Sequence, residues 1–218
     1  MCGRFVINMP SDLMAQLFDA VPSNDLPTVP NFNVCPTTHV HVVSAGDSGR
    51  KLGAMRWGFI PHWYKSPTDG PLLINARAET IAEKPAFRAA CRERRCIIPI
   101  SGFYEWTRDG NVKLPWYIKR MDGQPMAMAA IWQEWGDDRN PTCAVVTTGA
   151  NAPMVEIHHR IPVILEKENW AKWLGEDGKG AALLMKATAD DTLSFQRVDP
   201  KVNSNRASGP QLIDPVAA

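Results

Sequence analysis

The residue with the greatest chemical reach in this sequence is its second. Once Met1 is trimmed, as happens when the next residue is small, Cys2 carries an α-amine and a thiol on adjacent carbons. These groups titrate at about 8 and about 8.5, so some of each is nucleophilic at neutral pH. A 1,2-aminothiol has a distinctive reaction with an aldehyde. The amine condenses to an imine, and the sulfur then closes a five-membered thiazolidine. Read from position alone, Cys2 is equally an ordinary cysteine near a frayed end.

Other positions carry groups that such chemistry could use. In Asn75-Ala76-Arg77-Ala78-Glu79, an amide can orient a ligand and a guanidinium can grip phosphate with two parallel bonds. The same stretch also reads as a capping asparagine with surface charges. Glu105 stands among aromatics in Gly102-Phe103-Tyr104-Glu105-Trp106. Facing inward, it would be desolvated and its pKa lifted towards general acid–base duty; facing outward, it is an ordinary surface glutamate. His158 and His159 precede Arg160. Histidine moves protons near neutral pH, and Arg160 is a second phosphate candidate. Of the adjacent histidines, at most one is expected to face a site. No cysteine is spaced to join them in a zinc site, so no metal is expected. Trp63 and Tyr64, beside Pro61 and His62 in a turn-rich segment, are placed to stack on bases. Arg88, Arg92, Arg94 and Arg95 are either a phosphate-tracking patch or a solvated helix end.

The elements that must position these groups are mainly strands. Strands are expected at 40–43, 51–59, 96–100, 102–107, 116–120, 126–132 and 142–148, with Asp109-Gly110 and Asp122-Gly123 as hairpin turns. Residues 2–7 read as extended and 72–76 as a short apolar run. A helix is expected from Pro10-Ser11-Asp12, capped by Ser11, with Leu13, Leu17 and Phe18 on its apolar face. Helical character is expected at 79–90, 166–174 and 180–186. The proline-rich stretch 21–36 reads as loop, and 195–218 as an irregular tail that packs on the body through Val198, Val202, Leu212 and Ile213. Strands in the middle and helices at the flanks predict an α+β fold, a single compact domain over 1–218 with mainly antiparallel, barrel-like sheets.

Composition narrows the function classes. The 218 residues carry a net charge of +1, so any nucleic-acid binding depends on a local patch rather than a global field. Five scattered cysteines argue against a secreted disulfide framework. The amino end has no long apolar run, so neither a signal peptide nor a membrane span is expected, and a cytoplasmic protein is. Without G-x-G-x-x-G or a P-loop, no nucleotide cofactor is expected.

Taken together, the motifs resemble the SOS-response-associated peptidase family of abasic-site processing proteins. They are M-C-G-R-F at 1–5, F-N-V-C-P-T at 32–37, W-G-F-I-P-H-W at 57–63, I-N-A-R-A-E-T at 74–80, R-C-I-I-P at 95–99, G-F-Y-E-W at 102–106, A-A-I-W at 129–132 and I-H-H-R-I-P-V-I-L at 157–165. They run in family order along nearly the whole chain. The resemblance implies a thiazolidine link between Cys2 and the ring-opened sugar of an abasic site in single-stranded DNA, including at single-strand/double-strand junctions. It implies that Asn75 positions the sugar, Glu105 shuttles protons and His158 assists loss of water. Gly3, Arg4, Trp63, Tyr64, Arg77, Thr147 and Arg160 are implied to contact the strand. A monomeric bacterial member, associated with the nucleoid on damaged DNA, using lyase-like imine chemistry and removing its own Met1, completes the expectation. The sequence departs from the family pattern at Cys35, commonly alanine, and at Tyr64, where a second tryptophan occurs. Two rival readings differ in outcome: a cysteine peptidase using Cys2, His158 and Glu105 would turn over peptides without DNA, and a non-covalent strand-binding module would form no covalent product.

Overall fold

Strands form where the chain alternates or is uniformly apolar, and their burial records which faces are covered. The computed structural model describes residues 2–216; Met1, whose removal the chemistry above requires, lies outside them, as do residues 217–218 of the tail. In chain order the strands are β1 (Phe5–Ile7), β2 (Ala20–Pro22), β3 (Asn31–Val34), β4 (His39–Gly46), β5 (Gly49–Trp57), β6 (Asn75–Arg77), β7 (Arg95–Ile100), β8 (Gly102–Asp109), β9 (Val112–Arg120), β10 (Met126–Trp135), β11 (Asn140–Gly149), β12 (Arg160–Pro162), β13 (Ile164–Leu165) and β14 (Leu193–Arg197). The α-helices are short: α1 (Ser11–Phe18), α2 (Arg88–Glu93), α3 (Ala152–Val155) and α4 (Trp170–Leu174).

The fold is α+β, with two sheets. The smaller has the order β14-β9-β8-β1-β3 and is antiparallel throughout. The larger runs β12-β11-β10-β7-β4-β5-β2 and closes on itself, because β5 also pairs with β11 through Arg56–Thr142 and Trp57–Cys143. Closure makes a barrel of β4, β5, β11, β10 and β7 and leaves those strands no free edge. Residues 126–131 of β10 are consecutively buried, as expected of a strand covered on both faces. Three pairings are parallel: β2–β5, β5–β11 and β6–β11.

The amino-terminal strand is pinned from both sides. Phe5 pairs with Val34 and Phe103 in the ladder, is fully buried, and its ring sits 4.5 Å from that of Trp57. Truncating such an aromatic typically costs about 3–5 kcal/mol, so the segment just before it is held by a strong anchor.

Several expectations need correction. Pro10, not Ser11, occupies the cap position of α1; the Ser11 hydroxyl instead pairs with Nε2 of buried His41 at 3.0 Å. The buried face of α1 is Met14 and Phe18, while Leu13 is 50 % exposed. The stretch 21–36 is not wholly loop: it contains the end of β2 and β3. Residues 79–87 form turns, with helix only from Arg88, beyond the Pro85 break. Residues 167–169 and 181–184 are 3₁₀ turns, so only Trp170–Leu174 of those stretches is α-helical. The tail begins with a real strand, β14, and packs on the body as expected: Val198, Val202 and Leu212 are buried with Tyr104 and Tyr117.

Candidate active site

Cys2, Gly3 and Arg4 run directly off the end of β1, so the anchor at Phe5 fixes where they lie. The Tyr104 N–H donates to the Arg4 carbonyl at 2.9 Å, extending the β1–β8 pairing towards the terminus. Cys2 is 1 % exposed. Its carbonyl accepts from Asn75 Nδ2 at 3.0 Å. β6 places Asn75 there by pairing with β11 at Val145. The Asn75 Oδ1 is buried and, among the described residues, has no hydrogen-bond partner. An orphaned amide oxygen beside the nucleophile's backbone is a ready acceptor for an N–H.

Glu105 approaches from β8. It is 3 % exposed, so the alternation turns it inward, the option under which it has a chemical role. Burial raises its pKa, opposed by the charge of His159 and the Trp106 backbone N–H. Burial likewise pushes the Cys2 thiol far up, the Glu105 carboxylate adds to the effect, and the Arg4 backbone N–H works against it. The Glu105 carboxylate thus bears electrostatically on the thiol.

His158 follows α3, whose first turn is capped by Asn151 accepting from the Met154 N–H. The Arg160 N–H donates to His158 Nδ1 at 3.0 Å, and the Arg160 carbonyl lies 3.3 Å from the same nitrogen. Burial lowers the His158 pKa. The His159 ring stacks on it with centroids 4.4 Å apart, and the charge of His158 is the main cause that lowers the His159 pKa. Of the two histidines, His158 lines the cavity and His159 does not.

Two open cavities meet this cluster. One, of about 350 Å³, is bounded by Gly3, Arg4, Glu105 and His158, with Trp106, Arg108, Lys113 and Asn203 beyond. The other, of about 550 Å³, holds Asn75, Arg77, Trp63 and Tyr64, with Lys84 and Phe87. Trp63 is 48 % exposed and meets His62 and Tyr64 edge-on, while the Tyr64 carbonyl accepts from Trp135 Nε1 at 2.9 Å. Arg77 is exposed at the rim. Thr147, its ladder neighbour, is fully buried. Arg160 is already engaged: it forms a two-pronged bond to Glu79 at 2.7 and 2.9 Å and donates to the Thr147 carbonyl at 2.7 Å. Arg4 donates to Asn33 Oδ1 at 2.6 Å and the Val202 carbonyl at 3.0 Å, with its guanidinium 5.9 Å over Trp106. The arginine-rich stretch lies elsewhere. Arg95 donates to the carbonyls of Trp173, Cys91 and Arg92, closing the end of α2, which is the helix-end option.

Sequence reasoning did not single out Arg108, Lys113, Asn203, Lys84 or Asn33. Asn33 is a buried hub, accepting from Arg4 and donating to the carbonyls of Ser204 and Ala207 at 3.0 and 2.8 Å.

The chain matches the family model described as SOS response associated peptidase (SRAP) over residues 1–205, and it belongs to that family. It is 38 % identical to the abasic site processing protein YoqW of Bacillus subtilis, over 98 % of this chain and 99 % of that one. It is 34 % identical to the abasic site processing protein YedK of Escherichia coli, over 99 % and 100 %. Among solved structures, a protein from Bacteroides thetaiotaomicron superposes with a TM-score of 0.86 at 25 % identity, covering 99 % of this chain and 100 % of that one.

Proposed function

We propose that this protein captures abasic sites in single-stranded DNA by covalent attachment to Cys2 after Met1 is removed. The observation that carries the reading is the convergence on Cys2 of Asn75, which holds its carbonyl and lines one cavity, and Glu105, whose carboxylate bears on its thiol and lines another. The names of the relatives supply the substrate: an abasic sugar, in its ring-opened form, presents an aldehyde.

In this mechanism Glu105, its pKa raised by burial, delivers a proton to the sugar ring oxygen as the ring opens and takes up the proton of the anomeric hydroxyl. The freed Cys2 amine donates an N–H to Asn75 Oδ1 and attacks the aldehyde carbon. His158, bordering the same cavity as Glu105, assists departure of water from the carbinolamine. The Cys2 sulfur then bonds to the imine carbon, and the thiol proton passes through Glu105 to the nitrogen. One water is released and no oxidant is consumed. Ring closure removes the imine, which would otherwise lead to strand cleavage by β-elimination. An abasic nucleotide has no base to unstack, which favours its entry into the site. Phosphate contacts position the strand without reading its sequence.

Intact mass after incubation with an oligonucleotide containing one abasic site tests this directly. The expected mass is protein minus Met1, plus oligonucleotide, minus one water. Cys2→Ala should give no adduct, and an adduct in that variant overturns the assignment. Cys2→Ser should give a reducible imine and strand cleavage, without a cross-link that survives unreduced.

A further inference from the structure

Arg108 on β8 and Lys113 on β9 stand directly opposite one another in the hairpin ladder. Like charges at such positions destabilise a sheet. Elsewhere partly buried arginines are matched with acids: Arg50 with Glu176, Arg120 with Asp122 and Glu166, and Arg160 with Glu79. Among the described residues, no ion pair is made by Arg108 or Lys113. The adjacent Asp109 is paired in the ladder with Val112.

The strands that carry the two cations are braced together. Asn203 fastens both strands at once: its Oδ1 accepts from Trp106 Nε1 at 2.6 Å, and its Nδ2 donates to the Lys113 carbonyl at 3.2 Å. Both side chains are exposed and border the cavity that has Glu105 and His158 at its inner end. Two like charges side by side at the mouth of a site are relieved by an anion brought from outside.

We infer that Arg108 and Lys113 form a clamp for a backbone phosphate of the strand on the Glu105 side of the lesion. Arg108 lies three residues along β8 from Glu105, roughly 10 Å at strand rise, so the clamped phosphate lies beyond the lesion's own nucleotide. Arg77 and Lys84 border the other cavity, which Asn75 also lines. The assignment rests on the single-strand reading above and extends it to specific phosphate contacts.

The test uses the full chain and an intact single-stranded oligonucleotide, so that no covalent step enters. Binding is followed by anisotropy across a salt series, with thermal unfolding measured in parallel. Arg108→Glu places a carboxylate opposite Lys113, so the melting temperature should hold or rise while affinity falls. Each lost phosphate contact should flatten the slope of log K against log salt by about 0.7. Arg108→Gln, which adds no repulsion, should weaken binding in the same direction by less. An unchanged slope in both variants overturns the clamp, as does a fall in affinity matched by a fall in melting temperature. If the unaltered protein fails to bind the strand at all, the DNA reading itself fails. If it binds and captures abasic sites while both variants match it, only the clamp fails.

Discussion

Replacing Glu105 by glutamine should make the protein more stable and less reactive at the same time. The carboxyl is 3 % exposed and its pKa is raised, chiefly by burial. A group with a raised folded-state pKa contributes stability fully below its unfolded value, about 4.3 for glutamate, and that stability is lost as pH rises through the folded value. Each tenfold difference in proton affinity between folded and unfolded chain is worth about 1.4 kcal/mol. For a chain of this size, 1 kcal/mol moves the melting temperature by about 2–4 °C. Glu105→Gln removes the ionisation, so its melting temperature should gain on the parent's as pH rises from about 4.3 and level off above the folded value. Loss of a general acid–base typically costs about 10²–10⁴ in rate, and adduct formation at neutral pH should slow by that order. The assays are thermal unfolding from pH 4 to 8 and single-turnover cross-linking. A stability difference that stays flat with pH would refute the claim of a desolvated, titrating carboxyl. Cross-linking at the parental rate would refute its role as proton carrier.

Two other outcomes follow from the packing. His41 is buried with Ser11 as its ring partner, and burial lowers its pKa. Its neutral form therefore contributes stability that is present above about 6.5 and lost as pH falls through the lowered value, so His41→Gln should show a shallower acid decline in melting temperature. Gly102 has no room for a side chain, since an added Cβ would meet the ring of Tyr117, itself buried. Gly102→Ala should cost about 1–3 kcal/mol by overpacking, read as a lower urea midpoint with unchanged slope; a midpoint equal to the parent's would show that the Tyr117 ring gives way freely.

The groups around Cys2 were legible because each rests on a local pattern. Asn75 closes an apolar run, Glu105 sits among aromatics, and His158 precedes an arginine and a proline. The central hairpins were legible for the same reason: alternation and Asp-Gly turns are short-range signals. Partners between distant segments were not. A period-two pattern says which face of β5 is buried but not that β11 is its neighbour, so a barrel-like sheet was expected without the strand pair that closes it. Glu79 as the partner of Arg160, and Asn203 as the brace of β8 and β9, are likewise long-range facts. The Arg108–Lys113 register was within reach, because the turn at Gly110 sets it, had the strands been carried to the turn instead of stopping at 107 and starting at 116. Ser11 misled because a good capping residue found a better partner in His41.

The carbonyls of Val202, Ser204 and Ala207 hold Arg4 and Asn33 beside the amino-terminal segment. A ribosome delivers these two regions in the reverse of the order in which they are needed: the amino end emerges first and its brace nearly last. Throughout translation the nascent terminus is therefore without its finished surroundings, and any trimming of that end by a general aminopeptidase meets an unfolded substrate. Translation stalled before residue 202 therefore yields a terminus with the right atoms and without the contacts that brace it.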